Sequence, residues 1–352
     1  MQATGQGKVA LVTTVKEWGT VQERRPARSW ISELAGYREP DRARSIREVA
    51  VTLGPVAVLW WLAWQSLDGP RIVTLALAIL IGFFLMRVFC LQHDCGHYSL
   101  FRSRRACDWL GRALSLLTIT PYRTWQTMHA EHHAHVGDLD ASGLGEVRTL
   151  TVAEYRARGP AGRLAYRAYR HPLFLIGVAP FLLFFVQYRL PFGLWRRGWR
   201  FWISTMGTNL ALAVLIGAMV RAGGWAPVLW IFVPSVLFGA TAGVITFYLH
   251  HQFEGAHFDR PPGWDRHHAA LNGSSQIALP GWLQWFTANI SLHHVHHLLE
   301  RIPFYRLPEV LRDHPELAAT NRIGWRAALS FFSLGLWDEE GGRLVRFADV
   351  RL

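Results

Sequence analysis

Four apolar blocks, at 49–66, 72–91, 201–220 and 227–249, set the first limit on what this chain can become. A bilayer core takes roughly 20 helical residues to cross. In hydrocarbon only a helix or a closed barrel satisfies every backbone donor and acceptor. The blocks come in pairs. Leu67-Asp68-Gly69-Pro70 joins the first two, and a turn from Arg221 to Ala226 joins the others. Each pair reads as a helical hairpin. Trp60, Trp61, Trp202, Trp225 and Trp230 lie near block ends, where an interfacial aromatic belt is expected. That arrangement argues against buried helices of a soluble protein.

Two apolar stretches are weaker. Residues 109–121 are too few to span. Residues 172–188 are borderline, contain Gly177 and Pro180, and run into Arg189. A crossing there would put the last histidine cluster, described below, on the opposite side from the others. Both stretches are read as interfacial or re-entrant.

With four crossings, the termini, the 92–200 segment and the chain from His250 onward share one side. The arginine clusters at 24–28, 102–105 and 196–200 fall there, and the hairpin turns hold only Arg71 and Arg221 at their edges. That bias makes the shared side cytoplasmic. It also accounts for the net charge of +12 without nucleic acid, since no basic soluble domain is visible. The expected organisation is a polar segment at 1–48, a membrane domain at 49–315 and a cytoplasmic tail at 316–352. No signal-peptide pattern precedes Arg24. The three cysteines, Cys90, Cys95 and Cys107, are odd in number and lack a CxxC pair, which argues against a disulfide framework. Gly143-Leu-Gly145 lacks the flanks of a nucleotide fingerprint and reads as a loop.

Three histidine clusters carry the chemistry: His93-Asp-Cys-Gly-His97, His129-Ala-Glu-His132-His133 and His293-His294-Val-His296-His297. Positions i, i+3 and i+4 share a helix face, and imidazole is the commonest protein ligand for redox metals. His93 and His97, then His129, His132 and His133, then His293, His296 and His297 fit that spacing. These are more imidazoles than one mononuclear site uses, so two metal ions are expected. His135 lies about 240° round from His129, and His294 about 100° from His293. Both read as second-layer or surface groups. His171, His257, His267, His268 and His314 lack partners at ligand spacing. Cys95 offers a thiolate within the first cluster as a minor alternative.

The clusters and their flanks resemble the membrane-bound fatty acid desaturases, nearest in pattern to the bacterial delta-12 (omega-6) type. The likeness takes in His93-Asp-Cys-Gly-His-Tyr-Ser-Leu-Phe101, Pro121-Tyr-Arg-Thr-Trp125, Glu154-Tyr155 and Tyr166-Arg-Ala-Tyr-Arg170. It continues through His251-Gln-Phe-Glu254, Gly273-Ser-Ser275 and the stretch from His293 to Pro308 with Ile302-Pro-Phe-Tyr305. It covers roughly residues 45–315. The resemblance implies an all-α integral membrane protein of four transmembrane helices in two hairpins, under a cytoplasmic helical cap that carries the boxes. It implies a bacterial inner-membrane location, two iron ions, O2 as co-substrate, and a fatty acyl lipid or thioester as substrate. No flavin, haem or iron–sulfur motif is present, so a ferredoxin or small cytochrome would supply electrons at the basic face. The family pattern of one histidine before Gln-Phe-Glu makes His251 a further ligand, with His250 in a supporting role. Trp125, four residues before His129, is expected to wall the acyl channel. Asp94, Glu131, Asp138, Asp140 and Glu254 are candidates to fix ring tautomers. A lipid, alkane or carotenoid hydroxylase or ketolase uses similar boxes and remains an alternative. A metal transporter places its ligands within the spans, whereas these sit beyond the span ends.

Overall fold

The computed structural model describes residues 26–141 and 146–351. The ends at Met1 and Leu352, arginines 24 and 25, and the Gly143-Leu-Gly145 loop lie outside the described residues. Of the described residues, 70% are helical. Among the described residues, four helices are long and apolar enough to cross a bilayer: Arg42–Asp68, Arg71–Gly96, Trp199–Gly223 and Val228–His251, hereafter spans one to four.

Each helix outruns its apolar block because polar residues start it early or end it late. Span one begins at Asp41, whose carboxylate accepts the Arg44 N–H at 2.8 Å, a side-chain N-cap. Span two continues past its apolar block to His93 and Gly96, with His97 as its cap. Span four likewise ends on His250 and His251. The extra turns carry imidazoles beyond the apolar stretch.

Span two is the centre of the bundle. Half of its apolar window is buried, against 22% for spans one and three. Val58, Trp61, Ile203, Leu210 and Val214 on those outer spans are exposed, as lipid-facing side chains are. Spans two and four meet at glycines. A Cβ on Gly82 would lie 2.8 Å from Phe238 Cδ1, and one on Gly239 would lie 3.1 Å from the Gly82 carbonyl oxygen. Small residues allow such backbone approach, and it is van der Waals contact that holds helices together in lipid.

Arg87, buried in span two, is satisfied on every side. It pairs with Glu48 of span one at 2.5 Å, donates to Thr52 Oγ1 at 3.1 Å and to the Trp285 carbonyl, and lies 4.1 Å above the Trp285 ring. It thereby ties spans one and two to the short helix Gly281–Phe286.

The borderline stretch is a bent helix pair, Pro160–Arg170 followed by Phe174–Arg189, with a 59° bend between them. The chain also forms short strands that no periodicity announced. Leu334–Asp338 runs parallel to Leu150–Thr151 and antiparallel to Arg343–Arg346, while Arg322–Gly324 runs parallel to Gln276–Ala278. The two strands of 334–346 are therefore packed into the body of the protein, with Trp337 and Leu344 buried.

Removing one partner of a buried ion pair costs about 3–5 kcal/mol because the other charge is stranded. Arg87→Met is expected to lower the melting temperature in detergent sharply, and Glu48→Gln/Arg87→Met to recover much of the loss. Equal melting of the single and double variants would show that the pair does not hold these spans.

Candidate metal centre

Nine histidines converge in two adjoining groups. His93, His97, His129, His133 and His296 form one; His132, His251, His293 and His297 form the other. Within each, the ligand nitrogens all lie within 4.8 Å of one another. The helix Tyr122–His135 serves both groups, as does His293–Leu298. Residues at i and i+4 stay together, so His129 and His133 share a group, and His293 and His297 share the other. His132 and His133 diverge by about 100° and point into different groups. The second and third boxes, each read as one face in the sequence, are thus divided between the two groups, while His93 and His97 of the first stay together. The two groups touch where His133 stacks on His297, with ring centroids 4.0 Å apart.

The second group shows why these rings are not simply hydrogen bonded to one another. Nδ1 of His251 lies 3.1 Å from the Gly273 carbonyl oxygen. A carbonyl only accepts, so that nitrogen carries the proton and Nε2 keeps its lone pair. Nδ1 of His132 faces Glu146 Oε1 at 3.0 Å, which leaves its Nε2 lone pair free when it donates there. The two Nε2 atoms stand 3.1 Å apart, and His293 Nε2 lies 3.0 Å from that of His251 and from that of His297. Facing lone pairs repel, and a cation among them turns repulsion into coordination. In the first group, Nε2 of His93 and of His97 is buried with no hydrogen-bond partner among the described residues. The donor set fits metal ions at both places.

Burial keeps the rings neutral, the form that binds metal. It holds His132 at about 3. His97, His129, His133, His293, His296 and His297 are held well below the ordinary histidine value by burial first and by neighbouring histidines second. Burial also pushes the Glu146 carboxyl up to about 8; a nearby cation would favour its ionised form.

Beside the groups lies a largely apolar cavity of about 480 Å³ that reaches His93, His129 and His293. Phe89 and Met128 line it near the histidines, Gly243 and Phe247 on span four, and Leu183 on the bent pair. Trp125 is also part of its wall and stacks on His129, with centroids 4.8 Å apart and planes 14° apart. A Cβ on Gly96 would lie 2.8 Å from Trp125 Cζ3. The glycine inside the first box is thereby explained, since a side chain there would displace the tryptophan.

The expected tautomer-fixing acids are mostly elsewhere. Asp94 lies 3.5 Å from His93 Nδ1 and accepts the Phe304 N–H at 2.8 Å. Glu131 pairs with Arg197, Asp140 with Arg260, Asp138 caps its own loop, and Glu254 is exposed. Glu146 and Glu300 also stand beside the rings, the latter 3.6 Å from His133 Nδ1. Glu146 has no local sequence signal, because it reaches its ring through tertiary folding; Glu300 lies three residues beyond His297 but faces a ring of another box. His250 stacks on His293 at 4.1 Å and lies outside both groups. His294 is buried, not at the surface, and donates Nε2–H to the Leu317 carbonyl at 2.9 Å. His135 is bonded to the Glu131 carbonyl. Cys95, His171, His257, His267, His268 and His314 belong to neither group.

Helices long and apolar enough to cross a bilayer thus surround paired all-histidine groups that could hold metal ions, and an apolar cavity leads to them. Comparison with known proteins gives the family. Residues 70–328 match the family model described as fatty acid desaturase. The chain is 36% identical over 319 residues to a protein named "Fatty acid desaturase" from Bacillus subtilis (strain 168), covering 91% of this chain and 90% of that one. It is 26% identical over 251 residues to the "sn-1 oleoyl-lipid 12-desaturase" of Synechocystis sp., covering 70% and 68%. A shorter match, 29% identity over 102 residues covering 29% and 28%, is to the "sn-1 acyl-lipid omega-3 desaturase (ferredoxin)" of the same organism. The chain belongs to the fatty acid desaturase family and is an oxidoreductase.

Neutral buried histidines make stability depend on pH. Unfolded histidine titrates near about 6.5 and these rings titrate lower, so below that pH the unfolded chain binds more protons. Their contribution is complete above about pH 6.5 and falls as pH drops towards about 3. Glu146 acts with the opposite sign but is one group against several. The melting temperature of metal-free protein is expected to be highest near about pH 6.5, to ease slightly towards about pH 8 as Glu146 ionises, and to fall below about pH 6.5. A flat profile down to about pH 4 would contradict neutral burial.

Proposed function

We propose that this enzyme inserts a double bond into a fatty acyl chain at a two-iron centre, with O2 as oxidant and electrons from an external carrier. The observation that carries this reading is the convergence of unprotonated nitrogens at the end of an apolar cavity. His93, His97, His129, His133 and His296 would hold one iron, and His132, His251, His293 and His297 the other. Iron bound there supplies the reduction of O2 that drives hydrogen removal from an unactivated methylene. Overall, one CH2–CH2 unit, O2, two electrons and two protons give CH=CH and two waters.

The protein's own part is positioning. The cavity takes up the chain, excludes water, and sets which methylene lies beside His93 and His129. Trp125 walls that channel where the chain meets the rings. Gly273 and Glu146 fix the ring orientations of His251 and His132. The names of the Synechocystis relatives support an acyl lipid as substrate and a ferredoxin as donor, with a thioester substrate or a small cytochrome as the other members of those classes.

The arginine bias supports two transmembrane hairpins, with the termini and a helical cap carrying the boxes on the cytoplasmic face of a bacterial inner membrane. The bent pair then re-enters without crossing, which keeps all three boxes on one side. We further propose a membrane domain at 49–315 between a polar segment at 1–48 and a tail at 316–352.

Expression in a host lacking polyunsaturated lipids should give a new double bond by mass spectrometry of its fatty acids. A hydroxylated product alone would move the enzyme to oxygen insertion. A Cβ on Gly243 would meet only Met86 Sδ, at 3.8 Å, so Gly243→Leu projects into the cavity without displacing backbone. It should shift the products towards shorter chains, and Trp125→Ala should alter chain length or bond position. Unchanged product profiles in both variants would remove the cavity from substrate selection.

A further inference from the structure

Arg170 has no place in the chemistry above, yet it is 2% exposed, and three segments of chain meet at its guanidinium. One Nη donates to the Arg148 carbonyl at 3.3 Å and to Thr149 Oγ1 at 3.4 Å. The other donates to Gln252 Oε1 at 2.6 Å, to the Leu334 carbonyl at 3.1 Å and to the Tyr248 hydroxyl at 3.2 Å. Its acceptors among the described residues are carbonyl, amide and hydroxyl oxygens, with no carboxylate. A cation placed there without a counter-charge serves geometry, because a fork of N–H donors fixes several acceptors at once.

The three segments are not arbitrary. Arg148 and Thr149 follow closely on Glu146, whose carboxylate faces His132 Nδ1 at 3.0 Å. Gln252 is the residue after His251 and also donates to Thr149 Oγ1 at 3.1 Å. Leu334 opens the tail strand that pairs with Leu150–Thr151. Tyr166 reinforces the same joint, accepting from Leu150 N at 3.0 Å and donating to the Gly335 carbonyl at 2.8 Å. His132 and His251 both belong to the second histidine group, and their Nε2 atoms are 3.1 Å apart. The carboxylates beside the first group, Asp94 and Glu300, have no link to Arg170.

We propose that Arg170 is a positioning residue for the second histidine group. It clamps the Glu146–Thr149 stretch, Gln252 and the Leu334–Asp338 strand together, so that His132 and His251 face one another at coordinating distance. The inference rests on the two-iron reading and assigns the clamp to one of the two irons. Lysine keeps the charge but presents its donors from a single point and cannot serve three segments. Arg170→Lys should therefore bind one iron normally and hold the other weakly.

The test is iron content of purified protein and the rate of iron loss to a chelator, followed alongside far-UV circular dichroism. The wild type should hold about two irons. Stoichiometric zinc and no iron in the wild type would sink the two-iron reading itself and not the clamp. In Arg170→Lys, one equivalent should leave about 10- to 100-fold faster, the range for loss of a ligand's outer partner, with the other unchanged and helix content intact. Gln252→Leu breaks the same clamp from the other side without touching the arginine, and should show the same split. Wild-type retention of both irons in either variant would overturn the proposal. So would parallel loss of both irons together with helix content, which would make the clamp a fold element only.

Discussion

Everything in this protein is arranged around a repulsion. Neutral imidazoles are packed so that their lone pairs face each other at hydrogen-bond distance, without protons to share between His132 and His251. Such an arrangement is uphill in the bare chain and has to be imposed by the rest of the structure. Helix ends and carbonyls impose it. Span two delivers His93 and His97, span four delivers His251, and the Gly273 carbonyl turns the His251 ring so that its basic nitrogen points inward.

The same geometry explains the bundle. Span two must be central, because its last turn carries the first box while its flank forms the cavity wall. Close glycine contact with span four brings the ends of both helices to the same place. The outer spans contribute apolar surface, and the buried Arg87–Glu48 pair fixes one of them. The bent pair closes the remaining side of the cavity with Leu183 and Phe184.

Much of this was legible in the sequence because it depends on local spacing. Four apolar blocks became four long helices, and histidines spaced i and i+4 came together in groups that could hold metal ions. What spacing could not reveal was division: that His132 and His133 part company follows from a 100° turn only once each side of the helix has a neighbour. Glu146 went unseen for another reason, since acids close in sequence to a box were favoured and it arrives by tertiary folding; Glu300, though near His297 in sequence, faces His133 of another box. Glu131 and Asp140, close in sequence, found arginines instead. The short strands of the tail were beyond reach, because two to five residues carry no readable period. Arg170 was visible as part of a motif, but its partners come from three distant segments.

A helix that serves two centres cannot be tuned for one alone. Tyr122–His135 sends His129 and His133 to one group and His132 to the other, and His293–Leu298 divides its rings likewise. Rotating either helix to shorten a bond on one side lengthens a bond on the other. With an ion in each group, the orientation of each helix would be a compromise between the two sides.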